Sequence, residues 1–271
     1  MSENVATQTI ELTRYDDGSH ARTQDELAVE EPLEIRVEGK SVAVVMRTPG
    51  HDRELAAGFL FSEGLVQNAR EIFDITTCVT MDPAQKGNIV DVGLTKPEAA
   101  DFAKLTRHVF TTSSCGICSK TSIDTVLARR PALTSTLPGV TAELIASLPA
   151  KLSYHQATFR KTGGLHACAL FSAAGGLLEM REDVGRHNAL DKLVGWALLQ
   201  KRLPLSETIL LLSGRASFEM VQKAHGAGIP VLAAISAPSS LAVALAREAG
   251  MTLVGFIRGK AMNLYSGSLA G

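Results

Sequence analysis

Three apolar runs, Thr208 to Leu212, Val231 to Ile235 and Thr252 to Ile257, alternate with helical patterns at 217–226 and 239–249. Each run is short and continuous, and reads as a buried strand. Strands separated by helices in this way predict a right-handed parallel β-α-β-α-β unit with helices packed on its sheet. Just upstream, Leu190, Leu193, Val194, Ala197 and Leu198 form the apolar face of a helix over about 186–200. Before it, apolar residues 167–171 and 177–180 flank Gly175-Gly176 as a hairpin. Residues 163–271 therefore read as one α/β domain.

The N-terminal part has a different period. Leu33, Ile35 and Val37 alternate, Glu38-Gly39 turns, and Val42, Val44 and Met46 follow as a second strand. Thr48-Pro49-Gly50-His51-Asp52 breaks the pattern, with Asp52 placed to cap a helix that ends near Gly64. Residues 72–80 and 88–94 form another strand pair, so 27–105 is a smaller, mainly antiparallel β part. Residues 1–26 lack apolar periodicity and read as a flexible arm. Residues 106–162 hold a small-residue loop and short helical patterns at 121–129 and 141–148.

Charge limits the partners. The chain has 27 Lys+Arg against 28 Asp+Glu, a formal net charge of -1, which removes bulk electrostatics as an argument for nucleic acid or an anionic membrane. The most apolar stretch, Ile229 to Ile257, is broken by Pro230, Pro238, Arg247 and Glu248 and predicts no membrane span. The acidic start carries no secretory signal, so a cytoplasmic protein is expected.

Four cysteines in 271 residues do not make a secreted disulfide framework. Cys78 and Cys168 lie in apolar strand patterns and read as core. Cys115-Gly116-Ile117-Cys118 differs, because its flanks are Thr, Ser and Lys rather than apolar. A thiolate is favoured beside Lys120 and a following helix. No second cysteine pair or close histidine pair supports zinc, and neither a His-x-Glu triplet nor a Pro before Cys115 supports a deaminase centre. Dithiol redox chemistry stays open beside a covalent intermediate on one cysteine that the other resolves.

Two further groups carry polar chemistry. Asp183-Val184-Gly185-Arg186-His187-Asn188 lies where a strand gives way to a helix, and its donors suit a phosphate or polar ring. The spacing sets His187 near Asp191 and Asn188 near Lys192 on the face away from the leucines. The other group is positional: ligands bind beyond the carboxyl ends of parallel strands. Those ends carry Ser213-Gly214-Arg215, Ser236 to Ser240, and Phe256-Ile257-Arg258-Gly259-Lys260, a cationic rim for a phosphate-bearing ligand. His51 and His225 read as structural, and His166 and Trp196 give no signal.

Four segments in this order, Thr48 to Gly64, Ser113 to Cys118, Asp183 to Ala189 and Ser213 to Arg215, resemble the formate dehydrogenase accessory sulfurtransferase family, with the likeness running from about Leu27 to Tyr265. The resemblance implies a cytidine-deaminase-like three-layer α/β fold without the deaminase zinc or any other protein-ligated metal. It also implies a homodimer that moves sulfur from a cysteine desulfurase to the molybdenum bis(molybdopterin guanine dinucleotide) cofactor for formate dehydrogenase. By motif, Cys115 corresponds to the persulfide-bearing cysteine and Cys118 to its partner. Phe256, Ile257, Arg258, Gly259, Lys260 and Ala261 correspond to the cofactor-binding stretch. Asp183, Gly185, Arg186, His187, Asn188, Ser213 and Arg215 are expected to help hold that ligand. A thiol–disulfide oxidoreductase and a non-catalytic cofactor-binding chaperone are the competing classes.

Overall fold

The computed structural model describes residues 6–78, 87–99, 133 and 137–271. The expected strand-helix alternation is present: β9 (Thr208–Leu212), α5 (Phe218–Gly226), β10 (Val231–Ala234), α6 (Ser240–Glu248) and β11 (Thr252–Arg258) follow one another. β9, β10 and β11 pair in parallel. β7 (His166–Ser172) runs antiparallel beside β9, and β8 (Leu177–Asp183) antiparallel beside β7. A strand absent from the sequence reading, β12 (Ala261–Ser266), completes a six-stranded sheet ordered β12-β11-β10-β9-β7-β8.

The sheet is covered on both faces, which is why its central strands are apolar at successive positions. Cys168, Leu170, Leu210 and Leu212 pack into one core with α4 (Arg186–Leu199), α5 and α6. Ala167, Ala169, Phe171, Ile209 and Leu211 point the other way, onto α2 (Ala142–His155). This is the period-two division of a strand between two cores. The helical pattern expected over 141–148 continues through Pro149, because Leu152 joins Ile145 and Leu148 on the buried face. A short helix, α3 (Ala157–Thr162), follows.

In the N-terminal part, β3 (Glu31–Val37) and β4 (Lys40–Arg47) form the expected hairpin, with Glu38 and Gly39 both at positive φ in its turn. β5 (Ile72–Thr77) and β6 (Ile89–Leu94) form the second pair, and the four-stranded order is β4-β3-β6-β5. The expectation of a loose arm over 1–26 is corrected from Thr7 onward. β1 (Thr7–Asp16) and β2 (Ser19–Ala28) form an antiparallel ribbon closed by Asp17-Gly18, both at positive φ. That Asp-Gly pair is a hairpin signal that works without an apolar period.

α1 (Asp52–Glu63) joins the two parts. Asp52 does not cap it; His51 occupies the cap position at φ 59, and Asp52 turns back to a buried Arg47, accepting from Nε at 2.9 Å and Nη2 at 3.1 Å. α1 crosses α4 where both lack a side chain. A Cβ on Gly58 would stand 1.9 Å from the Asp191 carbonyl oxygen, and one on Gly195 would stand 1.8 Å from that of Glu54. Glycine at both positions lets the two backbones touch.

Candidate functional site

Strand direction decides what gathers at one edge of the six-stranded sheet. The carboxyl ends of β9, β10 and β11 lie there; β7 begins there and β8 ends there, because each is antiparallel to its neighbour. His166, the Asp183–Asn188 turn, Ser213–Arg215, Ser236 and Phe256 thus share an edge. Local bonds hold the loops in place. Ser213 donates its N–H to the Ala167 carbonyl at 3.0 Å and accepts the Ala167 N–H on Oγ at 2.9 Å. The N–H groups of Ala216 and Phe256 donate to the Ala237 and Ser236 carbonyls.

Asp183 does not face a ligand, contrary to expectation. It is 0% exposed; Oδ1 accepts from Gly185 N–H at 2.8 Å and Asn188 Nδ2 at 3.1 Å. Oδ2 accepts from Thr48 N–H at 3.1 Å and pairs with Lys192 Nζ at 2.7 Å. Asn188 is engaged in the same way, donating to the Met46 carbonyl at 2.6 Å. Lys192, also buried, donates to the Thr48 carbonyl at 2.8 Å, and Thr48 Oγ1 accepts the Val184 N–H. A buried carboxylate survives only with such complete partnering. Asp183 therefore ties the Thr48 loop to the start of α4, and Gly185 is needed because a Cβ there would stand 2.9 Å from Asn188 Nδ2.

Two spacing arguments on α4 are corrected as well. Asp191 and Lys192 are buried rather than on a solvent face. Asp191 accepts from Ser62 Oγ and from Lys223 Nζ, while His187 Nε2 lies 2.7 Å from Glu219 Oε2 on α5. Tertiary partners replace the within-helix pairs.

The basic side chains divide into two places. Arg186, Arg215 and His187 all act electrostatically on His166. Burial, then the charges of Arg186 and Arg215, hold this imidazole below its ordinary range. Sequence reasoning passed over His166; the available signal was its place one residue before the apolar run of a strand that starts at the ligand-binding edge. Arg258, Gly259, Lys260 and Ala261 form an exposed turn between β11 and β12. The Lys260 charge acts on Glu143 at the start of α2, where the Glu143 N–H and Thr141 do most to lower that carboxyl. Phe256 is exposed at φ 54, whereas Ile257 is 3% exposed and belongs to the core under α2. Ile257 is thus corrected from ligand contact to packing.

Cys115 and Cys118 lie outside the described residues. Cys168 is buried as expected, and burial, with Asp191 and Asp183 adding to it, pushes its thiol far up. Cys78, read as core, is only partly buried at the end of β5. Among the described residues no three His, Cys, Asp or Glu side chains gather as metal ligands, and no helix is long and apolar enough to cross a membrane.

With this geometry in place, comparisons give the lineage. Residues 28–270 match the model of the FdhD/NarQ family. A Streptomyces coelicolor protein named sulfur carrier protein FdhD is 53% identical over 266 residues, covering 97% of this chain and 94% of its own. A Sulfolobus acidocaldarius protein of the same name is 43% identical, covering 95% of each chain. The crystal structure of a candidate formate dehydrogenase accessory protein from Desulfotalea psychrophila has the same fold, with TM-score 0.74, 24% identity and 97% coverage of each chain. The chain belongs to the FdhD/NarQ family.

Proposed function

We propose that this chain is a sulfurtransferase and formate dehydrogenase accessory protein. It takes sulfur from a cysteine desulfurase as a persulfide on Cys115 and delivers it to molybdenum bis(molybdopterin guanine dinucleotide), its bound substrate. The observation that carries the reading is the strand-end edge that gathers Arg186, His187, Ser213 and Arg215 near His166, in a chain whose relatives are named sulfur carriers.

In loading, the Cys115 thiolate attacks the outer sulfur of the desulfurase persulfide. The S–S bond of the donor breaks, its cysteine leaves as a thiolate, and Cys115 gains one sulfur. In delivery, Cys118 attacks the inner sulfur of Cys115, forming a disulfide and releasing the outer sulfur as hydrosulfide toward the substrate. A dithiol reductant then restores both thiols. Arg186, His187, Arg215 and Ser213 hold the substrate's phosphates, with the exposed Phe256, Arg258, Gly259, Lys260 and Ala261 at the neighbouring strand end. The working unit is a homodimer in the cytoplasm.

Intact mass measurement after incubation with a desulfurase and cysteine tests this. One added sulfur, lost in Cys115→Ala together with activation of formate dehydrogenase, is expected. A Cys115→Ala protein that still loads sulfur and activates would refute the assignment. Cycling of a Cys115–Cys118 disulfide without added sulfur would favour an oxidoreductase, and full activation by the double variant would favour a chaperone.

A further inference from the structure

The β1–β2 ribbon projects from the body of the molecule. Its paired register runs unbroken from Thr7 with Ala28 to Asp16 with Ser19. Residues 13–22 are all exposed, whereas Ile10, Leu12 and Thr23 are partly buried. The outer part of each strand therefore stands clear by about 13 Å. A two-stranded ribbon is marginal in water by itself and needs a surface to pack on. The tip is nevertheless organised: Tyr15, 77% exposed, stacks on His20 with ring centroids 5.5 Å apart, and Ser19 Oγ donates to the Asp16 carbonyl at 2.7 Å. Next to this ring, the Asp16 and Asp17 carboxylates have no hydrogen-bond or ion-pair partner among the described residues. Arg14 and Arg22 stand further down the ribbon.

A complementary surface lies at the edge of the sheet away from the candidate site, where α4 ends and β9 begins. A groove of about 510 Å³ there is floored by the buried Phe61 and Leu198 and walled by Leu203 and Pro204. Arg70 and Lys201 border it; both are exposed, and neither side chain has a partner among the described residues. The neighbouring acid, Glu71, is taken up by the Gln67 N–H at 2.8 Å and by Asn68 Nδ2 at 2.6 Å. Arg202 is occupied as well, over the Trp196 ring at 5.1 Å. Lys201 holds its place at φ 56 just past the end of α4, where glycine is usual. An apolar floor beside two unpaired cations fits an aromatic side chain followed by carboxylates. Tyr15-Asp16-Asp17 at the ribbon tip has that chemistry. We infer that the chain dimerises by ribbon exchange: the 15–17 tip of each copy seats in the groove between Arg70 and Lys201 of the other. Tip and groove are different surfaces, so reciprocal exchange is what closes the pair instead of building a filament. The inference rests on the proposed homodimer, and adds the surface that builds it.

Sedimentation equilibrium and photo-crosslinking of the full chain test the exchange. The wild type should be a dimer. Tyr15→Ala should weaken dimerisation about a hundredfold, since truncating an aromatic anchor costs about tenfold or more at each of the two reciprocal contacts. Asp16→Lys and the double variant Arg70→Glu with Lys201→Glu should each weaken it about tenfold, and combining them should restore most of the loss. These positions are exposed, so every variant should melt like the wild type. With p-benzoylphenylalanine in place of Tyr15, irradiating a mixture of isotope-labelled and unlabelled copies should join the ribbon tip of one copy to residues 67–70 or 201–204 of the other. Crosslinks within one copy, or to other segments, would overturn the exchange. So would dimers of wild-type strength in the Tyr15→Ala and charge variants, while leaving the homodimer reading standing. A monomeric wild type would overturn both, and sulfur loading of Cys115 remains a separate test of the proposed function.

Discussion

Replacing Gly195 with alanine puts a methyl group where the structure has no room for one. Its Cβ would stand 1.8 Å from the Glu54 carbonyl oxygen and 2.8 Å from the Gly58 nitrogen, both backbone atoms of α1. No rotamer change clears a backbone atom, so the helices must part by roughly 1.5 Å to reach ordinary contact. That separation loosens a seam holding Leu55, Ala56, Leu190 and Val194, all in the larger core. Overpacking costs about 1–3 kcal/mol when side chains can yield, and here they cannot. The gain in helix propensity, about 1 kcal/mol, is smaller and opposite in sign. A net loss of about 3 kcal/mol is expected, or a melting temperature lower by roughly 6–12 °C for a domain of this size. Scanning calorimetry on both proteins measures it. A Gly195→Ala protein melting within about 2 °C of the wild type would refute the reasoning. Adding Gly58→Ala should cost less in the variant than alone, since the helices have already parted.

Lys192→Met should destabilise the fold by about 3–5 kcal/mol in urea, because it leaves the buried Asp183 charge without its cation; an unchanged midpoint would mean the pair is not what holds the Thr48 loop. Burial alone would raise the Glu54 carboxyl, but hydrogen bonds from His51 and Arg181 bring it to about 2 from an ordinary 4.5. Its contribution, about 2–3 kcal/mol, is complete above the unfolded pKa and lost as pH falls from 4.5 toward 2. Glu54→Gln should therefore be less stable than the wild type at pH 6 and converge with it near pH 2, and parallel stability curves across that window would contradict this. Cys168→Ala should load sulfur as the wild type does, and Cys168 should resist alkylation in the folded chain, because burial raises its thiol. Rapid labelling at Cys168 by iodoacetamide under native conditions would count against that.

Local pattern carried much of the fold. The Val231 to Ile235 run became β10 because four successive buried positions need no distant information to be recognised. The Glu38-Gly39 turn was legible because both residues must adopt positive φ. The Asp17-Gly18 turn was equally local, but the polar strands around it hid it. β12 was missed because its residues alternate weakly and none of them is buried.

The candidate site was legible in composition and less so in roles. The turn after β8 was recognised as dense in polar groups, yet Asp183 accepts from Thr48 and Asn188 donates to Met46, both more than 130 positions away. His166 gave no signal alone; it gained one when β7 ran antiparallel to β9 and set its first residue beside Gly214. By itself the sequence determined the strands and helices whose apolar period is strong, and that a cationic set of loops follows the parallel strands, since period and turn chemistry depend on near neighbours. Only the tertiary structure decided which of those polar groups bind one another and which stay exposed, because hydrogen-bond capacity at a buried site is settled by partners that strand order brings from distant parts of the chain.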